Sequence, residues 1–276
     1  MRFTKMNGAG NDFILLDAIR QELPSEEAPR MARLLCDRRR SIGADGLMIV
    51  APSEKADCRM LFFNPDGSMG EMCGNGARCI CRFAYENGYA GEKQIIETTA
   101  GIVTGVRIDR RNYRIRLNTP GNLRLDEALT VDGETYAVSY VELGDPGIPH
   151  AVVQLPGLAD TDERALFELG RALRYHPAYA KGANVNFYEI TGQDEILEKT
   201  YERGVEDFTL ACGTGTGSVV TVLTLKGLVS GKNVRVNMAG GTLVIDAETE
   251  NGKVTDLYLT GPTTMVAEGE ILDEEL

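Results

Sequence analysis

Short apolar runs separated by polar, glycine-rich turns make up most of the chain, with a few longer stretches of helical spacing between them. Arg2 to Met6 predicts a first strand, leading into the turn-forming run Asn7-Gly8-Ala9-Gly10-Asn11-Asp12 and a second strand, Phe13 to Asp17. From Pro24 to Arg38, Met31, Leu34 and Leu35 recur at helical spacing behind a Ser25 N-cap and acids at 26 and 27, which predicts an amphipathic helix. Leu47–Val50 and Met60–Phe63 read as short buried strands, and Asn64-Pro65-Asp66-Gly67-Ser68 as a turn. A helix opening at Cys73 ends at Asn87-Gly88. Beyond it Ile102, Thr104, Val106 and Ile108 share one face of a strand, and Tyr113, Ile115 and Leu117 belong to its return. The second half predicts strands near 136–142 and 151–155, a helix from Asp162 to Tyr175, strands at 184–190 and 195–202, and a helix from Cys212 to Gly227. Val234–Met238, Thr242–Ala247, Val254–Leu259 and Met265–Ile271 then alternate as a meander, with Asn251-Gly252 as a hairpin turn.

The two halves run in parallel. Glu71-Met72-Cys73-Gly74-Asn75-Gly76 and Leu210-Ala211-Cys212-Gly213-Thr214-Gly215 each set a cysteine where a glycine-rich turn becomes a helix, at an offset of 139 residues (73 to 212) in a chain of 276. The same shift lays Gly43-Ala44-Asp45 on Gly182-Ala183-Asn184, Gly88 on Gly227, Ala100-Gly101 on Ala239-Gly240, Leu16 on Leu155 and Leu34 on Leu173. A constant register over so many positions predicts a duplicated domain. Each copy is expected to be a β-rich sheet wrapped around one central helix, an α+β arrangement rather than a parallel βαβ one. Thr119-Pro120-Gly121-Asn122 is the expected boundary, giving an N-terminal domain at 1–120 and a C-terminal domain at 121–264.

Length agrees with two domains, each large enough for its own core. A net charge of −12 opposes nucleic acid and anionic membranes as partners. No run of eighteen apolar residues occurs, and Met1–Met6 lacks the apolar stretch of a signal peptide, so a cytoplasmic location is expected, with all six cysteines as reduced thiols.

A cysteine at one helix start is ordinarily a packing residue. Two at matching positions of related domains are different, because domains facing each other would bring two thiols and two sets of free helix N–H groups to one ligand. Such N–H groups hold a carboxylate and are expected to lower a thiol's pKa. One thiolate as base and one thiol as acid, with backbone donors at Gly74, Asn75, Gly213 and Thr214, suit inversion of a carbon next to a carboxylate. No phosphate-binding loop with a lysine partner is evident, so neither pyridoxal phosphate nor any other cofactor is expected. Cys79 and Cys81 read as helix-packing residues because no second ligand pair with zinc spacing accompanies them, and no metal is expected. His176, beside Pro177 at a helix end, reads as structural.

Taken together, Asn7–Phe13, Gly43–Gly46, Phe63–Ser68, Glu71–Gly76, Tyr201-Glu202-Arg203-Gly204 and Ala211–Gly215 resemble, in order, the signatures of the cofactor-independent diaminopimelate epimerases, over nearly the whole chain. The resemblance implies epimerisation of LL-2,6-diaminopimelate to the meso form in lysine and peptidoglycan biosynthesis. Cys73 and Cys212 would be the acid/base thiols, with His150 and Glu202 assisting beside them. Asn11, Gly74, Asn75, Gly213 and Thr214 would hold the reacting amino-acid end; Asn64, Asn184 and Arg203 would hold the distal end, and Glu202 would also touch the substrate's α-amino group. It also implies a fold of two pseudo-symmetric domains, with the last strand, near 265–276, returning to the first.

Two positions depart from the family pattern. Ile148 replaces an asparagine in Gly147-Ile148-Pro149-His150, and Ala267 stands where some dimeric members carry an aromatic interface residue, so the distal contacts and a homodimer both need testing. Proline and hydroxyproline racemases share the second cysteine motif but look more like Cys-Gly-His-Gly at the first, where this chain has Asn75; histidine racemases differ mainly in the distal pocket. A thiol redox switch or an amino-acid-binding protein is the alternative from another class. Racemisation without added cofactor separates the enzymes from both.

Overall fold

The computed structural model describes residues 1–70 and 72–272, with only the backbone at Ser25. Glu71 of the first cysteine motif and the end of the predicted 265–276 segment therefore lie outside the described residues, and the N-cap expected at Ser25 falls instead at Glu27, because Ser25–Glu27 form a 3-10 turn ahead of the helix. Contacts divide the chain into two compact units, Met1–Ile115 with the chain from Thr260 onward, and Arg116–Leu259.

In the first unit the chain forms β1 (Arg2–Gly8), β2 (Asn11–Asp17), a 3-10 turn at Ser25–Glu27, α1 (Ala28–Leu35), β3 (Gly46–Ala51), β4 (Cys58–Phe63), β5 (Met69–Gly70), α2 (Gly74–Glu86), β6 (Lys93–Thr98), β7 (Gly101–Arg107) and β8 (Asn112–Leu117), whose end crosses the division. The second contains β9 (Pro120–Val131), β10 (Glu134–Leu143), β11 (Ile148–Gln154), α3 (Glu163–Arg174), β12 (Asn184–Gly192), β13 (Glu195–Glu202), β14 (Asp207–Thr209), α4 (Gly213–Leu225), β15 (Val234–Met238), β16 (Gly241–Glu250) and β17 (Lys253–Pro262), whose last three residues belong to the first unit. A last strand, β18 (Thr264–Glu270), pairs antiparallel with β1.

Pairing repeats from unit to unit. The succession β18, β1, β2, β3, β4, β6, β7 has the same senses as β9, β10, β11, β12, β13, β15, β16. Both are antiparallel except at two steps, where α1 and α2 in one unit, and α3 and α4 in the other, cross between parallel strands. The mixed α+β class stands, but the expectation of no parallel βαβ connection fails at every helix. An alternating apolar pattern does not tell a parallel from an antiparallel neighbour, because both put successive side chains on opposite faces.

Helices divide into two kinds. On α1 and α3 a single apolar face is buried, led by Met31 and Leu35 on one and Leu166 and Leu173 on the other, against the sheet clusters of their units. Along α2, by contrast, every residue from Gly74 to Ala84 is buried, and α4 is buried throughout Gly215–Leu223. Each fully buried side chain such as Ile80 or Leu223 contributes about 1.5–3 kcal/mol, so these central helices anchor their units.

Several local expectations change. The six-residue turn predicted at Asn7–Asp12 is a two-residue hairpin loop, Ala9-Gly10 with φ of 53° and 90°, and Gly8 pairs with Asn11 across it. Two left-handed residues match the strand twist, so the flanking asparagines are free to join the ladder. Helix α1 is shorter than the predicted 24–38 because Asp37 accepts the N–H groups of Arg39 and Arg40 and turns the chain away. Of Thr119–Asn122, the expected boundary, Pro120–Asn122 open the twelve-residue strand β9. On β7 the apolar face of Ile102, Thr104 and Val106 is solvent-exposed, Ile102 at 52 %. Its opposite face packs on α2, where a Cβ on Gly105 would come within 2.4 Å of Cys81 Sγ. Only glycine admits that approach.

Candidate active site

Both paired cysteines are helix N-caps with nearly the same extended backbone, φ −127° and ψ 114° at Cys73 and φ −119° and ψ 105° at Cys212. Extended geometry at the cap aims the first-turn N–H groups toward the thiol side, where they lack helical partners. At Cys212 the effect is explicit, since Gly215 N–H donates to Sγ at 3.4 Å and the Thr214 hydroxyl lies at 3.6 Å. These contacts do not dominate. Burial pushes the Cys212 thiol up, the Glu202 carboxylate adds to the rise, and the Thr214 and Gly215 contacts only partly offset it. The lowered thiol pKa expected from a helix start is thus reversed at this cysteine, because desolvation of a thiolate outweighs a few N–H dipoles.

Around α2 a polar chain fixes orientations. Arg78 is fully buried, donating to Asn75 Oδ1 at 2.8 Å and to Gly74 O at 3.3 Å, and burial lowers its pKa to about 10. With its oxygen turned to Arg78, Asn75 directs Nδ2 to Asn11 Oδ1, and Asn11 Nδ2 donates to Asp45 Oδ2 at 3.1 Å. Arg38 bridges Asp45 and Asp12, while Lys5 lies 2.7 Å from Asp12. Burial raises the Asp12 carboxyl, but the Arg38 and Lys5 hydrogen bonds and charges overcome it and hold the group well below the usual carboxylate range. Asn11, Gly74 and Asn75 are therefore gathered at the Cys73 helix start. Asn64 lies in its own turn, donating to Ser68 Oγ at 3.0 Å. Cys79 and Cys81 are buried packing residues, and burial pushes Cys79 up to about 12.

In the second unit β11, β12 and β13 lie side by side and bring His150, Asn184, Glu202 and Arg203 together. His150 pairs with Asn184 across the parallel β11–β12 ladder, and Asn184 Oδ1 accepts Arg203 N–H at 2.8 Å. Arg203 Nη1 donates to Lys181 O at 3.2 Å. Burial drives the His150 pKa down to about 3; the Asn186 contact opposes this and the Arg203 charge assists it, so the ring is neutral. Ile148 is half-buried at the start of β11. His176 accepts Ala178 N–H at Nδ1, a turn contact.

Sequence reasoning passed over a buried row on the same face: Asn186, opposite Thr200, and Glu198 two residues before it on β13. Asn184 and Asn186 at period two inside a strand with no exposed side chain up to Tyr188 were the available signal. Glu198 gave none, because Glu195-Ile196-Leu197-Glu198-Lys199 reads as ordinary solvent-facing alternation.

A helix enclosed by a mixed sheet is present twice and opens each time on a cysteine. The fold is shared with a Bacillus anthracis phenazine biosynthesis protein of the PhzF family (TM-score 0.75, 17 % identity, 99 % of each chain covered) and with a probable proline racemase from Agrobacterium radiobacter K84 (TM-score 0.69, 19 % identity, 99 % of this chain and 93 % of that one). The diaminopimelate epimerase family matches residues 3–119 and 144–266. Diaminopimelate epimerase of Moorella thermoacetica is 38 % identical, covering 98 % of this chain and 99 % of its own, and that of Aquifex aeolicus is 39 % identical, covering 100 % and 99 %. This chain belongs to the diaminopimelate epimerase family.

Proposed function

We propose that the enzyme epimerises LL-2,6-diaminopimelate to the meso form by two-base proton transfer at Cα, with Cys73 and Cys212 as the pair. The observation that carries this is the matched pair of cysteine caps, each at the start of a buried helix and alike in extended backbone. One thiolate takes the Cα proton, the electron pair is held as a carbanion delocalised into the α-carboxylate, and the other thiol delivers its own proton to the opposite face. Thiol and thiolate have then exchanged places, and solvent resets them. Developing charge on the carboxylate is met by N–H groups of Gly74, Asn75, Gly213 and Thr214 and by Asn11, preorganised donors that strengthen as charge builds. His150 and Glu202 act beside the thiols, and Glu202 also meets the α-ammonium.

Arg203, Asn184 and Asn64 take the distal amino-acid end, where a guanidinium suits a carboxylate by its fork geometry. Ile148 offers no polar atom, so water or these three residues satisfy what an asparagine would. We further read the enzyme as cytoplasmic, where its thiols stay reduced; among the described residues no helix is long and apolar enough to cross a membrane.

The test is epimerisation of LL-diaminopimelate in deuterated water without added cofactor. Early product should carry deuterium at the inverted carbon while remaining substrate stays protiated, because base and acid hold separate hydrogens. Cys73→Ala and Cys212→Ala should each abolish turnover. Appreciable epimerisation by either variant rules the mechanism out, and a higher kcat/KM for histidine or another amino acid lacking a distal carboxylate rules out the substrate.

A further inference from the structure

The row beneath the Cys212 helix start forms a hydrogen-bond chain whose proton positions can be assigned one after another. Asn186 Nδ2 lies 3.0 Å from Ala151 O, which can only accept, so the amide's nitrogen faces β11 and its oxygen faces Thr200. The second Nδ2 hydrogen then points at His150 Nδ1, 3.2 Å away. Since the ring is neutral and Nδ1 accepts, its hydrogen sits on Nε2, a fully buried atom with no hydrogen-bond partner among the described residues.

On the other side Thr200 Oγ1 is 3.1 Å from both Asn186 Oδ1 and Glu198 Oε1. A threonine hydroxyl has one hydrogen. Given to Asn186, it leaves Thr200 able only to accept from Glu198, which then must carry a proton. An ionised Glu198 would take that hydrogen instead, leaving Asn186 Oδ1 without a donor. Glu198 is 1 % exposed, and among the described residues its Oε2 has no hydrogen-bond partner.

We propose that Glu198 is a positioning residue: as a neutral carboxylic acid it donates to Thr200 and, through Thr200 and Asn186, holds His150 as the Nε2–H tautomer, a fixed donor toward the substrate. This rests on the function proposed above for its substrate, but the tautomer itself does not. The titratable groups around the carboxyl are few. They are Tyr188 across the ladder on β12, Cys212 at the cap of α4, Glu202 on its own strand and His150 on β11, while α4 carries no charge and the one charged residue of β15, Arg235, is exposed. Burial raises the Glu198 pKa to about 8, against small opposing contributions from Thr216 and Thr200, so the acid is mostly neutral at pH 7 and ionises just above it.

Two histidines in the chain make the test direct. In uniformly nitrogen-15 histidine-labelled enzyme, long-range proton–nitrogen correlation should show His150 as Nε2–H at pH 7 and a changed or exchanging tautomer above about pH 8. Glu198→Gln, whose amide still donates to Thr200, should keep Nε2–H to pH 9, with His176 as the internal reference. The alkaline fall of kcat/KM should move to higher pH in the same variant, while Glu198→Leu lowers kcat roughly tenfold or more. Should Glu198→Gln fail to fold, Thr200→Val breaks the same link and should release the tautomer at pH 7. His150 found charged or as Nδ1–H at pH 7, or one alkaline limb shared by wild type and Glu198→Gln, overturns the proposal. Absence of turnover with diaminopimelate would instead overturn the function, and the nitrogen spectra would still decide the role of Glu198.

Discussion

Glu198 and His150 are buried groups displaced in opposite directions, and together they set how stability depends on pH. Glu198 goes from 4.5 to about 8 on folding, so the unfolded chain releases this proton first and stability falls as pH rises from 4.5 to 8. His150 goes from 6.5 to about 3, so the unfolded chain binds a proton that the native state refuses, and stability rises with pH from 3 to 6.5. Between 4.5 and 6.5 the two slopes cancel. Above 6.5 only Glu198 acts, and 1.5 units at 1.36 kcal/mol each remove about 2 kcal/mol by pH 8. Asp12 and Glu206 are displaced downward and titrate below this window, while the buried thiols of Cys36, Cys58 and Cys212 are displaced upward and titrate above it. Glu198→Gln removes one slope and leaves the other. Its stability should climb by ~3 kcal/mol from pH 4.5 to 6.5, where wild type is level, and then stay level to pH 8, where wild type declines. Urea unfolding followed by far-ultraviolet circular dichroism at half-unit steps of pH measures both curves. Parallel curves across 4.5–8 would refute the assignment of a buried neutral carboxyl.

Other expectations follow from the contacts. Gly215→Ala should lower stability by about 1–3 kcal/mol and impair turnover, because its Cβ would sit 2.2 Å from Asn186 Oδ1, and two hydrogen bonds from Nδ2 of the same amide hold it in place. Gly76→Ala clashes with the flexible end of Met48 and makes an ordinary contact with Cys73 Cβ, and should be milder by denaturation midpoint. Arg203→Ala should raise KM and cut kcat/KM for diaminopimelate by more than about tenfold through loss of a charge-assisted contact, whereas Ile148→Asn should change either constant only modestly in steady-state assays. Arg78→Met should remove the donor that holds Asn75 Oδ1, loosen the Asn75–Asn11 contact and raise KM more than it lowers kcat, a split that initial-rate kinetics resolves.

The repeat, the two cysteine caps and the location of the four helices were legible in the chain, because glycine placement and helical spacing are local properties. Helices α2 and α4 span the same shift of 139 residues as their cysteines, Gly74–Glu86 against Gly213–Leu225. Motif resemblance added candidate residues that spacing alone would not single out, such as His150 and Arg203. What folding decided was which strands neighbour each other and which face is buried. The period-two pattern of β7 correctly grouped Ile102, Thr104 and Val106, yet that face is exposed and the opposite one meets α2, a choice made by Gly105 beside Cys81. Glu198 and Thr200 sit on a strand that reads as half-solvated, and only its position between β12 and β15, under the start of α4, makes their carboxyl and hydroxyl interior groups. The sign of the shift at Cys212 was likewise a tertiary outcome: the helix start supplies donors locally, but burial and the nearby Glu202 are imposed by the surrounding sheet, and desolvation is the larger effect.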